Sequence, residues 1–499
     1  MKGCRAAVKS TPRPLGRQAG AVSVWCPENL DVGRLLAAFG RRTAEGALWL
    51  GHCVLSSLTD DARCRDTGRA HLRTDYLRKI VGRHQLDAVR DAARQIGYIE
   101  RGRSYRAGTR SQAYWILPPY DHAALVRHRV MHPALRDNIR SWREAQRRET
   151  WERIERGETP VAAAVCRHLC WNLQRVRLDA EMRFPEPLHP AHQISAEQIR
   201  QGELRFKVDP YGRIHTNLTN LPKLLRPYLS VDGGRLANVD ISESQPLFFG
   251  IALANIRAGR GANNQQQARH ADQRHPCASG RDEARRRERE AGGGGGEEEG
   301  KKGTPAATLM LANTMLANTM LDNPARLAGG FDRDRLPGDL RRYLELCECR
   351  ALYQTVADRL GTTRDAAKRR VMVALFDKPW HRNAVCEALG GLFPTVMADM
   401  REIKRPDHRR LAHFAQRIES AFMFGRVVPR IMRERPDLFI STIHDSILTP
   451  VADAQFVRAV TLDEFAQLGV SPQVKIEPCS PAVRQSPDPT PERISPKST

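Results

Sequence analysis

Two stretches of the chain, far apart, share one pattern: a short apolar run that ends on an acid and breaks into polar residues. The first is Leu236-Ala237-Asn238-Val239-Asp240-Ile241, followed by Ser242-Glu243-Ser244-Gln245-Pro246. The second is Leu438-Phe439-Ile440-Ser441-Thr442-Ile443, which runs into His444-Asp445 and resumes as Ser446-Ile447-Leu448. Both have strand length and strand composition. Each predicts a strand that delivers one aspartate, Asp240 or Asp445. Beyond Pro246, the residues Leu247, Phe248, Phe249, Ile251, Ala252 and Leu253 predict the start of a helix. Val474–Glu477 predicts a last strand.

Helical spacing governs most of the rest. A helical pattern runs from about Val32 to Ala62. Thr74 is a predicted N-cap for Leu77, Ile80 and Val81. Leu86, Val89, Ala93 and Ile96 recur at helical intervals, and Gly97 ends that run. Tyr98-Ile99-Glu100 and Tyr114-Trp115-Ile116-Leu117 then flank a tip that carries Arg101, Arg103, Arg106 and Arg110. Two helices and a hairpin with a basic tip make a candidate winged helix, whose arginines would contact phosphates or enter a minor groove. The alternative is an ordinary helix–hairpin packing unit.

Residues 121–205 read mostly as helix, with Trp142, Trp151 and Trp171 packing against neighbours, until Pro185, Pro187 and Pro190 interrupt it. Helices return over 338–378, where Thr362 and Asp365 are spaced like a capping box. A long amphipathic helix is predicted over 405–433, with Leu411, Phe414, Ile418 and Phe422 on its core face. Residues 1–30 and the Ser/Pro-rich stretch 478–499 are expected to be disordered. So is 257–325, a low-complexity insertion in which Leu311-Ala312-Asn313-Thr314-Met315 recurs as Leu316-Ala317-Asn318-Thr319-Met320, a period too short for a solenoid.

Charge adds a partner. Among 499 residues, 80 Lys and Arg face 57 Asp and Glu, a net charge of +23. A chain this basic meets a polyanion, and nucleic acid is the first candidate; a merely solvated basic surface is the other reading. The 11 cysteines are odd in number and irregular in spacing, which predicts reduced thiols and disfavours a structural zinc. No secretory leader and no bilayer-spanning run of ~20 apolar residues is seen. The expectation is a cytoplasmic protein without a membrane partner; the sequence names no protein partner.

The pattern then suggests chemistry. Two aspartates at neighbouring strand ends repel, and divalent cations relieve that repulsion. Two Mg²⁺ ions about 3.5–4 Å apart activate a hydroxyl and stabilise a leaving pyrophosphate, and Mg²⁺ needs only one or two carboxylates beside phosphates and waters. Arg364, Lys368, Met372 and Phe376 step along one helix by fours, cationic first and apolar later. The cationic half would hold a triphosphate, and the apolar half would support a base.

This ordered set resembles the palm and fingers of family A DNA polymerases and the related phage-type single-subunit RNA polymerases. Asp240-Ile-Ser-Glu-Ser-Gln245 is similar to their motif A, Arg364-x-x-x-Lys368-x-x-x-Met372-x-x-x-Phe376 to motif B, and His444-Asp445-Ser446 to motif C. Gly212-Arg213 before Asn220-Leu221-Pro222 is similar to their primer–template segment. The resemblance implies an α+β fold: an antiparallel palm sheet with helical fingers over 206–477, interrupted by 257–325. A helical thumb-like or linking region over 121–205 and the candidate winged helix over 31–120 precede it. It implies two Mg²⁺ ions on Asp240 and Asp445. Arg364 and Lys368 would lie on the triphosphate, Lys368 being the proton donor to pyrophosphate. Met372 and Phe376 would lie at the base, Gln245 near the sugar, and Arg213 and His444 at the primer terminus. Nucleoside triphosphates and a DNA primer–template would be the partners, and the winged helix would bind duplex DNA at an origin, as on a mobile element.

Departures keep the sugar open. Gln245 stands where family A has glutamate. Ser446 matches the RNA-polymerase motif C, and Lys368-Arg369-Arg370-Val371-Met372 is close to the RNA-polymerase motif B. Phe376 replaces a tyrosine, which favours deoxynucleotides, and Asp377 replaces a glycine. A compact DNA polymerase is the first reading. A phage-type RNA polymerase or primase-like enzyme is the second. A non-catalytic DNA-binding replication or regulatory protein on a decayed palm is the third.

Overall fold

The structure is a computed structural model that describes residues 21–102, 111–179, 188–272, 330–376, 378 and 383–479. Strand Gly234–Ile241 is the axis of its main sheet. Ala237, Val239 and Ile241 point into the larger core, so the period-two alternation sends Asn238 and Asp240 to the opposite face. Both edges of the strand are paired. Ser446–Pro450 lies on one side with Ser446 opposite Asp240. Val474–Pro478 lies on the other, with Lys475 opposite Asp240 and Glu477 opposite Asn238. Ser441–Ile443 extends the first edge, and Leu229–Val231 followed by Val176–Leu178 extends the second. Every pairing in this sheet is antiparallel, so the fold is α+β around an antiparallel sheet, as the sequence predicts. Val176–Leu178 comes from the stretch read as a helical link and ties that stretch into the sheet.

Aromatic side chains fasten three of the helices to one another. Helix Ser244–Asp272 carries Phe248, helix Arg410–Phe422 ends on Phe422, and helix Ala454–Ala466 carries Phe465. Phe422 and Phe465 stack at 4.1 Å, and Phe248 lies 5.5 Å and 5.7 Å from them. Such pairs add about 0.5–1.5 kcal/mol each beyond their burial. Gly250 lets helix Gly338–Glu348 come close: a Cβ there would stand 2.7 Å from Leu344 Cδ2.

Several boundaries differ from those predicted. Ser23–Pro27, inside the stretch expected to be unstructured, is a strand because Leu125–Arg129 supplies its ladder partners. The helix from Ser244 continues to Asp272, past the expected break at 257; the rest of the expected insertion up to 329 lies outside the described residues, as does the tail beyond Cys479. Arg73, which makes no side-chain capping bond, holds the cap position expected for Thr74. Thr362 donates its N–H to Ala357 O and closes the preceding helix, and Thr363 Oγ1 instead accepts from Ala366 N at 3.3 Å. The helix expected over 405–433 starts at Arg410, and Met423–Val427 forms a π turn before Val428–Glu434. Pro429 lacks the N–H that a continuous α-helix would use there.

The N-terminal part has its own core. Helix Val32–Asp60 runs through it. Ala70–Leu72, Gln112–Ile116 and Ile99–Arg101 form a three-stranded sheet in that spatial order. Helices Thr74–Val81 and Leu86–Gln95 lie between the first and second of these strands in sequence, and Gly97 at φ +66° turns the chain into the hairpin. Glu45, fully buried, accepts from Met131 N at 3.0 Å and His132 N at 2.7 Å. Its charge thereby faces the start of helix Pro133–Glu155, where the helix dipole favours an anion. Trp142 packs on Tyr76 at 4.9 Å and Trp151 on Phe206 at 5.6 Å. No helix of the described residues is long and apolar enough to cross a membrane.

Candidate active site

A cleft of about 680 Å³ opens over the polar face of the sheet. Asp240 enters it from the central strand and Asp445 from the adjoining hairpin. Burial first, and then the nearby charges of Asp445 and Glu477, push the Asp240 carboxyl up to about 6, while Lys223 and Lys368 pull it down. Ser244 Oγ donates to Asp445 Oδ2. Ile443 pairs with Ser446, so His444 and Asp445 make a two-residue turn. His444 has φ +57°, and Glu243, in the turn after the other acid, has φ +51°. Such backbone costs a non-glycine residue about 1–2 kcal/mol. Each acid therefore sits beside a strained turn.

The facing wall is helix Arg364–Phe376. Arg364, Lys368 and Met372 line the cleft, together with Gln245 and His444. Arg364 Nη2 donates to Glu243 Oε1 at 2.8 Å and lies over the Tyr353 ring at 5.6 Å. Among the described residues Lys368 makes no hydrogen bond or ion pair, and its charge acts on Asp240. Tyr353 Oη donates to Met372 Sδ at 3.7 Å.

Phe376 does not line the cleft; it packs against the larger core. Four residues overshoot a helical turn of 3.6 by about 40°. Three such steps carry the stripe from the cleft at Arg364 to the core at Phe376.

Arg213 also stands away from the cleft lining. Its Nη2 donates to Glu419 Oε2 at 2.9 Å, both side chains being largely buried. Burial raises the Glu419 carboxyl to about 7 against the pull of Arg213. Arg213 still acts on His444, whose imidazole burial and the arginine hold below its usual range. His215 meets His444 edge-on at 6.5 Å and lies 3.1 Å from Asp209 Oδ2. Arg101 is exposed at the end of its strand, remote in sequence from this cluster. Arg103, Arg106 and Arg110 lie outside the described residues.

The donor set fits an oxygen-preferring cation. Asn238 Oδ1, Ser242 Oγ, Glu243 Oε2 and Gln245 Oε1 are buried without a hydrogen-bond partner among the described residues, and all four residues line the cleft. Each such orphan costs about 1–3 kcal/mol until something meets it. Two carboxylates with hydroxyl and amide oxygens around them are hard ligands, which suit Mg²⁺ rather than a thiolate-seeking metal. Among the described residues no group of three or more His, Cys, Asp or Glu converges as a metal cage, and Mg²⁺ shared with phosphates does not require one.

Sequence reasoning missed much of the rest of the lining: Lys223, Arg226, Arg350, Tyr353, Lys475 and Glu477. Lys475 and Glu477 had a signal. Their alternation in a predicted strand puts both on one face, but the pairing with Asp240 and Asn238 was needed to say which face.

No family model and no curated protein matches this chain. Among solved structures, it is similar to the POL domain of Pol1 from M. smegmatis, in complex with DNA primer-template and dNTP, at 13% identity and a TM-score of 0.25. That similarity covers 89% of this chain and 71% of the other. At that score it carries no argument, and the functional reading rests on the cleft.

Proposed function

We propose that the protein is a template-directed nucleotidyltransferase, first of all a DNA polymerase, which extends a DNA primer with nucleoside triphosphates. One observation carries this reading. Asp240 and Asp445, from adjoining strands, meet Lys368 and Met372, from one facing helix, in a single cleft. Asp240 and Asp445 are the residues that would hold two Mg²⁺ ions. When bound, Mg²⁺ supplies the positive charge that favours an ionised 3′-hydroxyl and a departing pyrophosphate.

The chain's own groups have separable tasks in this reading. Lys368, unengaged by any described acid, holds phosphate oxygens and gives a proton to the leaving pyrophosphate. Arg364, aimed by Glu243, adds a second cation with a fixed direction. Met372 supports the base, and Gln245 borders the sugar. His444, neutral and backed by Arg213, positions the primer terminus. Phe376 has no direct role in this scheme, because it does not line the cleft.

The N-terminal three-stranded unit is read as a winged helix that grips duplex DNA. Its strand order and its two helices support that reading, and the chain's net charge of +23 suits the partner.

Primer extension with dNTPs and Mg²⁺ tests the catalytic reading, with wild type compared with Asp240→Asn and Asp445→Asn. The expected result is extension by wild type and a loss of about 10³-fold or more in each variant. Equal incorporation by all three proteins overturns it. A second reading, an RNA polymerase or primase-like enzyme, is favoured by Ser446. That residue leaves no acid directly after Asp445, and its Oγ is occupied by Ile443 O at 2.9 Å. Product from rNTPs without primer, and none from dNTPs, would select it.

A further inference from the structure

A second cavity, of about 530 Å³, lies between helix Val32–Asp60, helix Pro133–Glu155 and strand Phe206–Val208. It shares no lining residue with the candidate active site. Its size is ordinary for a small-molecule site, which spans about 300–1,000 Å³. Its walls are rich in aromatic rings, and the two acids in the lining, Asp60 and Glu203, are each engaged by an arginine, Arg205 and Arg127. Tyr76 and Trp142 meet at 4.9 Å, and Trp151 stacks on Phe206 at 5.6 Å with 17° between the rings.

His52 and Arg143 stand in the same wall. The Trp25 backbone N–H donates to His52 Nδ1 at 3.2 Å. A ring nitrogen that accepts carries no proton, so the imidazole is neutral and its proton sits on Nε2. Arg143 Nη2 lies 3.4 Å from that Nε2, and a guanidinium can only donate. Two donors thus face one another, and neither serves the other. Among the described residues Arg143 makes no ion pair. Its other contact is the Trp49 ring at 5.7 Å, and the nearby Glu203 is engaged by Arg127. Burial holds both His52 and Arg143 below their usual ranges. Trp49 Nε1, another donor of this wall, has no acceptor among the described residues.

We propose that this cavity is a second ligand site, for a planar aromatic molecule bearing an anionic oxygen, of the nucleoside 5′-monophosphate class. One phosphate oxygen accepts from His52 Nε2–H and Arg143 Nη2–H together, which resolves the donor–donor contact. The base lies among the aromatic rings, where stacking accepts any base. Gln146 and Thr150, one and two turns along from Arg143 on the same helix, border the opening.

Tryptophan fluorescence of the full-length protein tests this, because Trp49, Trp142 and Trp151 line the cavity. The probes are AMP, adenosine and inorganic phosphate, titrated in the absence of divalent cations. AMP should give saturable quenching, and adenosine and phosphate should each bind at least tenfold more weakly. Arg143→Gln should weaken AMP binding at least tenfold. Gln146→Glu alters an exposed residue, so it preserves the fold and should also weaken AMP binding through charge repulsion. The Arg364→Ala/Lys368→Ala variant should quench like wild type. No saturable AMP binding, binding indifferent to both cavity variants, adenosine binding as well as AMP, or loss of the signal in the Arg364→Ala/Lys368→Ala variant would each overturn the proposal.

Discussion

Arg364 on the cleft helix and Glu243 in the turn after the acid strand are joined at 2.8 Å. The acid is the buried member, 2% exposed against 35% for the arginine. Burial raises the Glu243 carboxyl although Arg364 pulls it down, so the pair serves direction more than stability. Glu243→Ala should free Arg364 to swing, raising KM for the nucleoside triphosphate about tenfold with kcat within about threefold. Glu243→Gln keeps an acceptor for Arg364 and should change KM by less than about threefold. Steady-state primer extension measures both. Equal KM values for the two variants would remove the aiming role.

Lys368 should behave differently from Arg364. It has no described partner to release, and its charge acts directly on Asp240. Lys368→Ala should lower kcat by about 10²–10⁴-fold, the range of a lost general acid. Arg364→Ala should act mainly on KM. Single-turnover kinetics separates the two effects.

The strained turn at His444 gives a stability prediction free of side-chain packing. His444→Ala and His444→Gly both delete the imidazole, but only glycine relaxes at φ +57°. The glycine variant should therefore be more stable than the alanine variant by about 1 kcal/mol. Urea denaturation monitored by circular dichroism reads the difference, and both variants should lose primer extension.

Glu419 should make stability depend on pH. Its folded carboxyl is raised to about 7 from an ordinary 4.5. A raised folded value means that the stabilising contribution is fully present below pH 4.5 and is lost as pH climbs through 7. The loss is on the order of 3 kcal/mol. Glu419→Gln cannot titrate, so its melting temperature should decline less than that of wild type between pH 5 and pH 8. Parallel declines would show that Glu419 is not the titrating group.

Local patterns in the sequence were enough to find both acids, the cationic helix and the helix–helix–hairpin unit, because each is written in neighbouring residues. Asp240 follows a run of strand length, and Arg364 with Lys368 marks one helical face. What depends on distant pairing was hidden. Nothing near Ser23 says that Leu125–Arg129 will complete its ladder, and nothing near Glu477 says that Asn238 lies opposite. Phe376 was expected at the cleft beside Met372, but a four-residue step is not a whole helical turn, and the drift takes it out of the lining. Arg213 was expected at the primer terminus; Glu419, far along the chain, engages it, and its charge acts on His444.

The strand Val474–Pro478 lies directly beside Asp240 although half the chain separates them in sequence. A ribosome adding about 5–20 residues per second therefore exposes the acid strand for tens of seconds before its last neighbour exists. During that interval the strand has an open edge, the kind of surface that invites pairing with other chains. The cleft is thus assembled late in synthesis. On the proposed function, the N-terminal unit of a nascent chain meets DNA before the cleft is complete.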